Sequence, residues 1–250
     1  MTLRPGAAPG HADAMRLKVR EFRPRTGPHE HRVVQPWYPL RHTTLSNPLV
    51  DWGYLVGDHD GLSRLAGFFS FAAFSRHTIV HLPLRQSLPR PYAPGEPVDL
   101  LLVHHSLGLR PSAWPALRRR LTQGNPQTVR TDEARTAAHA SRWTERRDQR
   151  DTRDRLRPAA HAGTLFLFGS RDVFAAASIE LAYAAGNGPR QKRVTQGYDT
   201  LIASLTHHLE PERAWRATEL DVGFQAYPPY AHVRRPGSPA SRRSRTAASA

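Results

Sequence analysis

The chain has 250 residues, 39% of them hydrophobic, with 22 Pro, 17 Gly and no Cys, which excludes a collagen, a disulfide-stapled scaffold and a zinc module built on thiolates. Its formal net charge of +15 points toward a polyanion, and how far depends on where the charge sits. It sits in three blocks. Residues 1–28 carry six Lys or Arg against two acids, residues 118–157 carry twelve Arg against six acids, and residues 234–250 carry five Arg against none. The rest of the chain is electrically balanced. Only two of the 36 basic residues are Lys, a skew that GC-rich coding also produces, so the charge is weaker evidence of a partner than its size suggests.

In chain order, residues 1–28 contain Pro and Gly punctuation without a sustained period and read as a flexible basic arm. Residues 234–250 read as a disordered basic tail of the same kind. Pro5, Gly6, Pro9 and Gly10 stand where a signal peptide needs an unbroken apolar stretch, and the apolar-rich run from Leu65 to Phe74 is far shorter than the ~20 residues that span a bilayer. The expectation is therefore a cytoplasmic protein with no membrane partner.

Residues 29–233 read as one α/β domain. Leu62–Phe74 is apolar almost all round and predicts a buried helix capped near Asp60, with a strand as the alternative. Residues 78–84 predict a strand that Pro83 places near its end or at a sheet edge. The run Val98, Leu100, Leu101, Leu102 and Val103 predicts a strand covered on both faces, whose usual setting is a parallel sheet. Ser112 is placed to cap a helix from Ala113 to about Leu121, with Pro115 in its first turn and Gly124 ending it.

A short strand at 127–130 follows, then an exposed Arg-rich helical segment at about 131–157, held by i,i+4 pairs of Arg147 with Asp151, Arg150 with Asp154 and Asp151 with Arg155. Only Trp143 and Leu156 are strongly apolar between 142 and 157. Residues 164–168 predict a buried strand, and Ser170 caps a helix with Phe174, Ala177, Leu181 and Ala184 on one face before Gly186. Tyr198, Leu201, Ile202, Leu205 and Leu209 predict an amphipathic helix, and Leu220, Val222, Phe224 and Ala226 a half-buried strand. The alternation predicts a mostly parallel sheet with flanking helices, of which a doubly wound arrangement is one form.

In such a sheet, ligands bind beyond the carboxyl ends of the strands. The residues there include Arg85, His104, His105, Ser106, Asp132, Glu133, Gly169, Ser170 and Arg171. Gly169, Ser170 and Arg171 form the anion-binding candidate, because a capped helix start after a buried strand presents free N–H groups and Arg171 adds a charge. The same residues also read as an ordinary cap. His104, His105 and Ser106 are the catalytic candidates, with imidazole as base and hydroxyl as nucleophile, although adjacent residues of an extended chain do not normally face one another.

Gly57-Asp58-His59-Asp60-Gly61 offers Asp58, His59 and Asp60 as metal ligands in a tight loop. It is similar to the first glycine-aspartate block of metallophosphoesterases, but the Asp-x-His block expected before it and the Asn-His-Asp block after it are absent, and a turn with Asp60 as helix cap accounts for the same residues. No cofactor is expected.

Three functional readings follow. The first is an accessory, noncatalytic protein that binds nucleic acid or another polyanion without sequence preference, through Arg118, Arg119, Arg120, Arg142, Arg146, Arg147, Arg150 and Arg153. The second is an enzyme acting on a small phosphate- or carboxylate-bearing molecule at the strand ends. The third is a protein-interaction module whose arms fold on a partner.

Overall fold

The computed structural model describes residues 14–50, 52–85, 95–147, 154–210 and 218–227. The elements in order are β1 (Arg16–Phe22), β2 (Arg25–Thr26), β3 (His29–Glu30), β4 (Arg32–Pro36), β5 (Thr44–Leu45), β6 (Gly53–Gly57), α1 (His59–Ala73), β7 (Thr78–Leu82) and β8 (Asp99–His104). Then come α2 (Trp114–Arg119), β9 (Asn125–Arg130), α3 (Glu133–Arg147), β10 (Arg157–His161), β11 (Thr164–Gly169), α4 (Arg171–Asn187), α5 (Lys192–Thr195), β12 (Thr200–Ser204) and β13 (Leu220–Phe224).

A seven-stranded sheet has the order β10-β11-β8-β7-β4-β1-β9, a four-stranded sheet the order β12-β13-β6-β5, and β2 pairs with β3. The fold is α/β. The large sheet is mixed rather than mostly parallel: β11 with β8 and β4 with β7 run parallel, and its other four pairs are antiparallel.

The apolar run in β8 explains why direction was misread. Leu100 and Leu102 belong to the larger core with α1, α3 and α4, whereas Leu101 and Val103 pack on the opposite face with Trp114 and Leu117 of α2. Cover on both faces demands apolar residues at every position, whichever way the neighbouring strands run. The pattern reports burial and carries no direction.

Part of the predicted basic arm is core. In β1, Leu17 and Val19 are almost fully buried, and the strand lies inside the sheet, hydrogen-bonded to β4 on one side and β9 on the other. Its apolar residues alternate with Arg16, Lys18 and Arg20, which stand on the exposed face, so a true period of two was hidden among charges and flanking Pro. Residues 1–13 and the predicted tail at 234–250 lie outside the described residues.

The Arg-rich segment also docks instead of projecting. Thr136, His139, Ala140 and Trp143 form the buried stripe of α3 at helical spacing, and Leu156 is fully buried beyond it. A stripe of one hydroxyl, one imidazole, one methyl and one indole escapes a hydrophobicity pattern. The three predicted ion pairs involve Arg150 or Asp151, which lie outside the described residues.

Smaller differences have local causes. Ser112 caps nothing: a 3₁₀ turn at Pro111–Ala113 leads into α2, which has no side-chain cap. The segment 198–209 forms β12 and a 3₁₀ turn at Thr206–His208, because β12 pairs with β13 and leaves Leu201 exposed. Helix α4 runs through Gly186 to Asn187. Among the described residues no helix is long and apolar enough to cross a membrane.

Candidate functional site

The strand directions bring basic residues from four elements to one edge of the large sheet. Parallel pairing places His104, the last residue of β8, opposite Gly169, the last of β11. Since β7 runs against β8 but alongside β4, the starts of β7 and β4, Thr78 and Arg32, lie at that same edge. The end of α1 and the first residue of α4 complete a crevice of about 390 Å³ lined by Arg32, Phe74, Arg76, His77, His104 and Arg171, with Ala73, Ser75 and Thr78 between them. Small-molecule sites typically occupy about 300–1,000 Å³. Among the described residues no carboxylate lines the crevice.

Arg32 is already committed. Its Nε and Nη2 donate to Glu21 Oε2 at 2.9 and 2.8 Å, and Nη1 donates to Thr78 Oγ1 at 3.2 Å. Burial works against the charge on Glu21, but the guanidiniums of Arg32 and Arg23 outweigh it and hold the carboxyl below its ordinary range. Arg76 and Arg171 differ, for neither has an acidic partner among the described residues. Arg171 stands 5.9 Å and Arg135 4.4 Å from the centre of the Phe74 ring, which fixes two cations beside one aromatic wall.

Both imidazoles have assignable tautomers. Arg76 Nε donates to His77 Nε2 at 2.9 Å, so His77 carries its proton on Nδ1. The backbone N–H of Ser106 donates to His104 Nδ1 at 3.3 Å, leaving the His104 proton on Nε2. Burial first, then the charges of His105, Arg171, Arg76 and His77, push the His104 imidazole below its ordinary range. It is neutral at pH 7.

Ser106 does approach His104. A 3₁₀ turn at His105–Leu107 curls the chain directly after β8, bringing Ser106 Oγ within 2.8 Å of His104 Nδ1. The hydroxyl shares that nitrogen with its own backbone N–H, so the contact orients the ring and caps the turn. Of the three catalytic candidates only His104 lines the crevice; the His105 ring lies beside it, tilted by 35° with ring centroids 4.4 Å apart.

Among Gly169, Ser170 and Arg171, only Arg171 lines the crevice. Ser170 Oγ accepts from Asp172 N at 3.2 Å and Val173 N at 3.4 Å, occupying two of the free donors of α4. A Cβ on Gly169 would stand 2.6 Å from Leu156 and 2.9 Å from Val173, so the position requires glycine for packing. Asp172 is drawn aside by His139, whose Nδ1 lies 2.6 Å from Oδ1, and by Arg146.

Reasoning from carboxyl ends missed Arg32, Arg76 and His77, which sit at strand starts. It also misplaced Arg85. Because β7 and β8 are antiparallel, Arg85 lies at the other end of the pair, where its Nη2 meets buried Asp99 Oδ2 at 3.1 Å beside Arg118 and His81.

The eight proposed nucleic-acid-contacting arginines do not form one face. Arg118 is turned toward Asp99, and Arg119 at the end of α2 and Arg120 just after it are exposed. Arg142 and Arg146 lie on α3, which packs on the opposite side of the sheet, Arg142 within 3.4 Å of His139 and Arg146 paired with Asp172. The Arg147 guanidinium is 6.0 Å from the Trp143 ring. Arg150 and Arg153 lie outside the described residues.

In the metal alternative, Asp58 Oδ1 accepts from Gly61 N at 2.8 Å as the cap of α1, His59 Nδ1 donates to Ala185 O at 3.0 Å, and Asp60 pairs with Arg64 at 3.5 Å. Asp58, not Asp60, is the cap. Among the described residues no three His, Cys, Asp or Glu side chains are grouped to hold a metal ion.

No protein-family model matches this chain, and no curated protein and no solved structure matches it.

Proposed function

We propose that the chain holds a small molecule by a phosphate or carboxylate group in the basic crevice, with His104 as the residue that handles a proton there. One observation carries this reading. Arg76, Arg171, His77 and His104 line a concave space with no carboxylate among them, so the positive potential is left for a ligand to neutralise. A neutral imidazole beside two guanidiniums is also suited to proton transfer near pH 7. Calorimetric titration with inorganic phosphate tests the reading. Measurable binding that Arg76→Ala and Arg171→Ala each weaken about tenfold is expected, the loss of one charge-assisted contact; equal affinity in the wild type and both variants overturns it.

A different observation favours a second reading, polyanion binding without sequence preference. Arg16, Lys18 and Arg20 stand exposed along β1, Arg130 of β9 lies opposite Arg16, and Arg119 and Arg120 are exposed at the end of the helix covering the adjoining part of the sheet. A duplex oligonucleotide bound here would show an affinity falling with log salt at a slope of about −0.9 per phosphate contact. Lys18→Glu with Arg20→Glu should abolish that binding and leave phosphate affinity in the crevice unchanged.

A further inference from the structure

Resting on the crevice reading, we infer that the bound group is a tetrahedral dianion such as the phosphoryl group of a monoester, and that its binding is coupled to protonation of His104. Besides the Ser75 and Thr78 hydroxyls, the crevice supplies N–H donors. Arg76 keeps its Nη groups after donating Nε to His77, the Arg171 guanidinium makes no hydrogen bond among the described residues, His77 keeps Nδ1–H and His104 keeps Nε2–H. Two fixed positive charges exceed the single charge of a carboxylate, the N–H groups of these side chains outnumber its roughly four lone-pair sites, and both match a group with three terminal oxygens and a charge near −2. A group that must itself donate a proton finds no carboxylate acceptor among the described residues of the lining.

The coupling follows from the neighbours of His104. The charges facing it are His105 from its own turn, Arg171 from α4, and Arg76 and His77 from the connection between α1 and β7. All are cationic or become so on protonation. Arg32 is neutralised by Glu21, and Asp172 is turned to His139 and Arg146. With the crevice empty, the charges around His104 disfavour an imidazolium; a dianion placed among these groups reverses the balance, and the proton taken from solvent goes to Nδ1, beside Ser106 Oγ, adding a charge to the ligand's shell.

Sulfate is the probe that isolates this linkage, being a dianion with no protonation of its own in the range used. Its affinity, with those of inorganic phosphate and acetate, is measured calorimetrically at pH 6, 7 and 8 for the wild type and for His104→Gln. The expected result is sulfate and phosphate binding at least about tenfold tighter than acetate, the gain of one further charge-assisted contact. Sulfate affinity should rise at least about threefold from pH 8 to pH 6, within the tenfold that one pKa unit allows, and His104→Gln should flatten that rise while keeping the dianion preference. Acetate binding as tightly as sulfate, or a sulfate affinity independent of pH, overturns this inference and leaves the anion reading standing. Absence of binding by all three overturns both.

Discussion

His81 Nε2 lies 3.8 Å from Asp99 Oδ2 in the interior of the large sheet, both side chains 4% exposed. Gln35 meets the other imidazole nitrogen at 2.6 Å, Trp114 packs edge-on at 4.8 Å between ring centroids, and Arg85 and Arg118 approach the carboxylate at 3.1 and 3.6 Å. Burial opposes the charge on Asp99, but His81, the Arg85 N–H and the Arg85 charge hold its carboxyl below the ordinary range. The cluster joins β4, β7, β8 and α2, so the fold depends on it.

Removing the anion should therefore cost far more than an ordinary core polar substitution. Asp99→Ala leaves Arg118 and Arg85 facing a buried space without their counter-charge, and a loss of about 3–5 kcal/mol is expected. Urea denaturation measures it. A loss below about 1 kcal/mol would show that solvent already satisfies the guanidiniums.

Acid should destabilise the protein from a higher pH than carboxylates alone would set. His208 is buried and stacked on Trp143, with ring centroids 4.5 Å apart; burial, then Arg147, Arg155 and His207, lower its imidazole from 6.5 to about 4. The folded state refuses a proton that the unfolded chain accepts, so stability is complete above the unfolded value near 6.5 and declines as pH falls toward 4, by roughly 3 kcal/mol from this residue. Buried His81, lowered chiefly by burial, acts in the same direction. Denaturation midpoints at pH 7, 5.5 and 4.5 should fall steadily, and His208→Gln should remove much of the decline between 6.5 and 4.5.

Deleting residues 1–22 removes a strand bonded on both sides, together with the buried Leu17, Val19 and Phe22. The expected outcome is loss of a cooperative thermal transition, since each of these side chains contributes roughly 1.5–3 kcal/mol by burial and β9 loses its only strand partner among the described residues. A truncated chain melting within a few degrees of the full one would mean that β1 is dispensable.

What the sequence made legible follows from what each pattern encodes. Continuous apolar runs located β7, β8 and β11, and the caps and apolar faces of α1 and α4 were readable within a residue or two. Strand direction was not, because burial on both faces looks alike in parallel and antiparallel neighbours. That one ambiguity sent Arg85 to the wrong end of the sheet and hid Arg76 and His77, while His104 and Arg171 were found because β8 and β11 are in fact parallel. Strand β1 was masked by its own alternating charges, and β10 by the shortness of its turn.

That turn offers a test of local strain. Ala162 and Gly163 connect β10 to β11 with φ of +49° and +69°, the two positive values of a tight hairpin turn in which Asn-Gly is preferred. Ala162→Asn should stabilise the protein by about 0.5–1 kcal/mol, since alanine bears the steric cost of the left-handed region. An unchanged or lower denaturation midpoint would count against the turn geometry.

The claim that the crevice is an anion site is tested most directly by following backbone amide resonances in ¹H–¹⁵N NMR spectra during titration with inorganic phosphate. Saturable shifts concentrated at Arg76, His77, His104 and Arg171, and lost in Arg171→Ala, are the predicted result. Shifts confined to β1, Arg119, Arg120 and the exposed arginines of α3, growing without saturation and erased by salt, would contradict it.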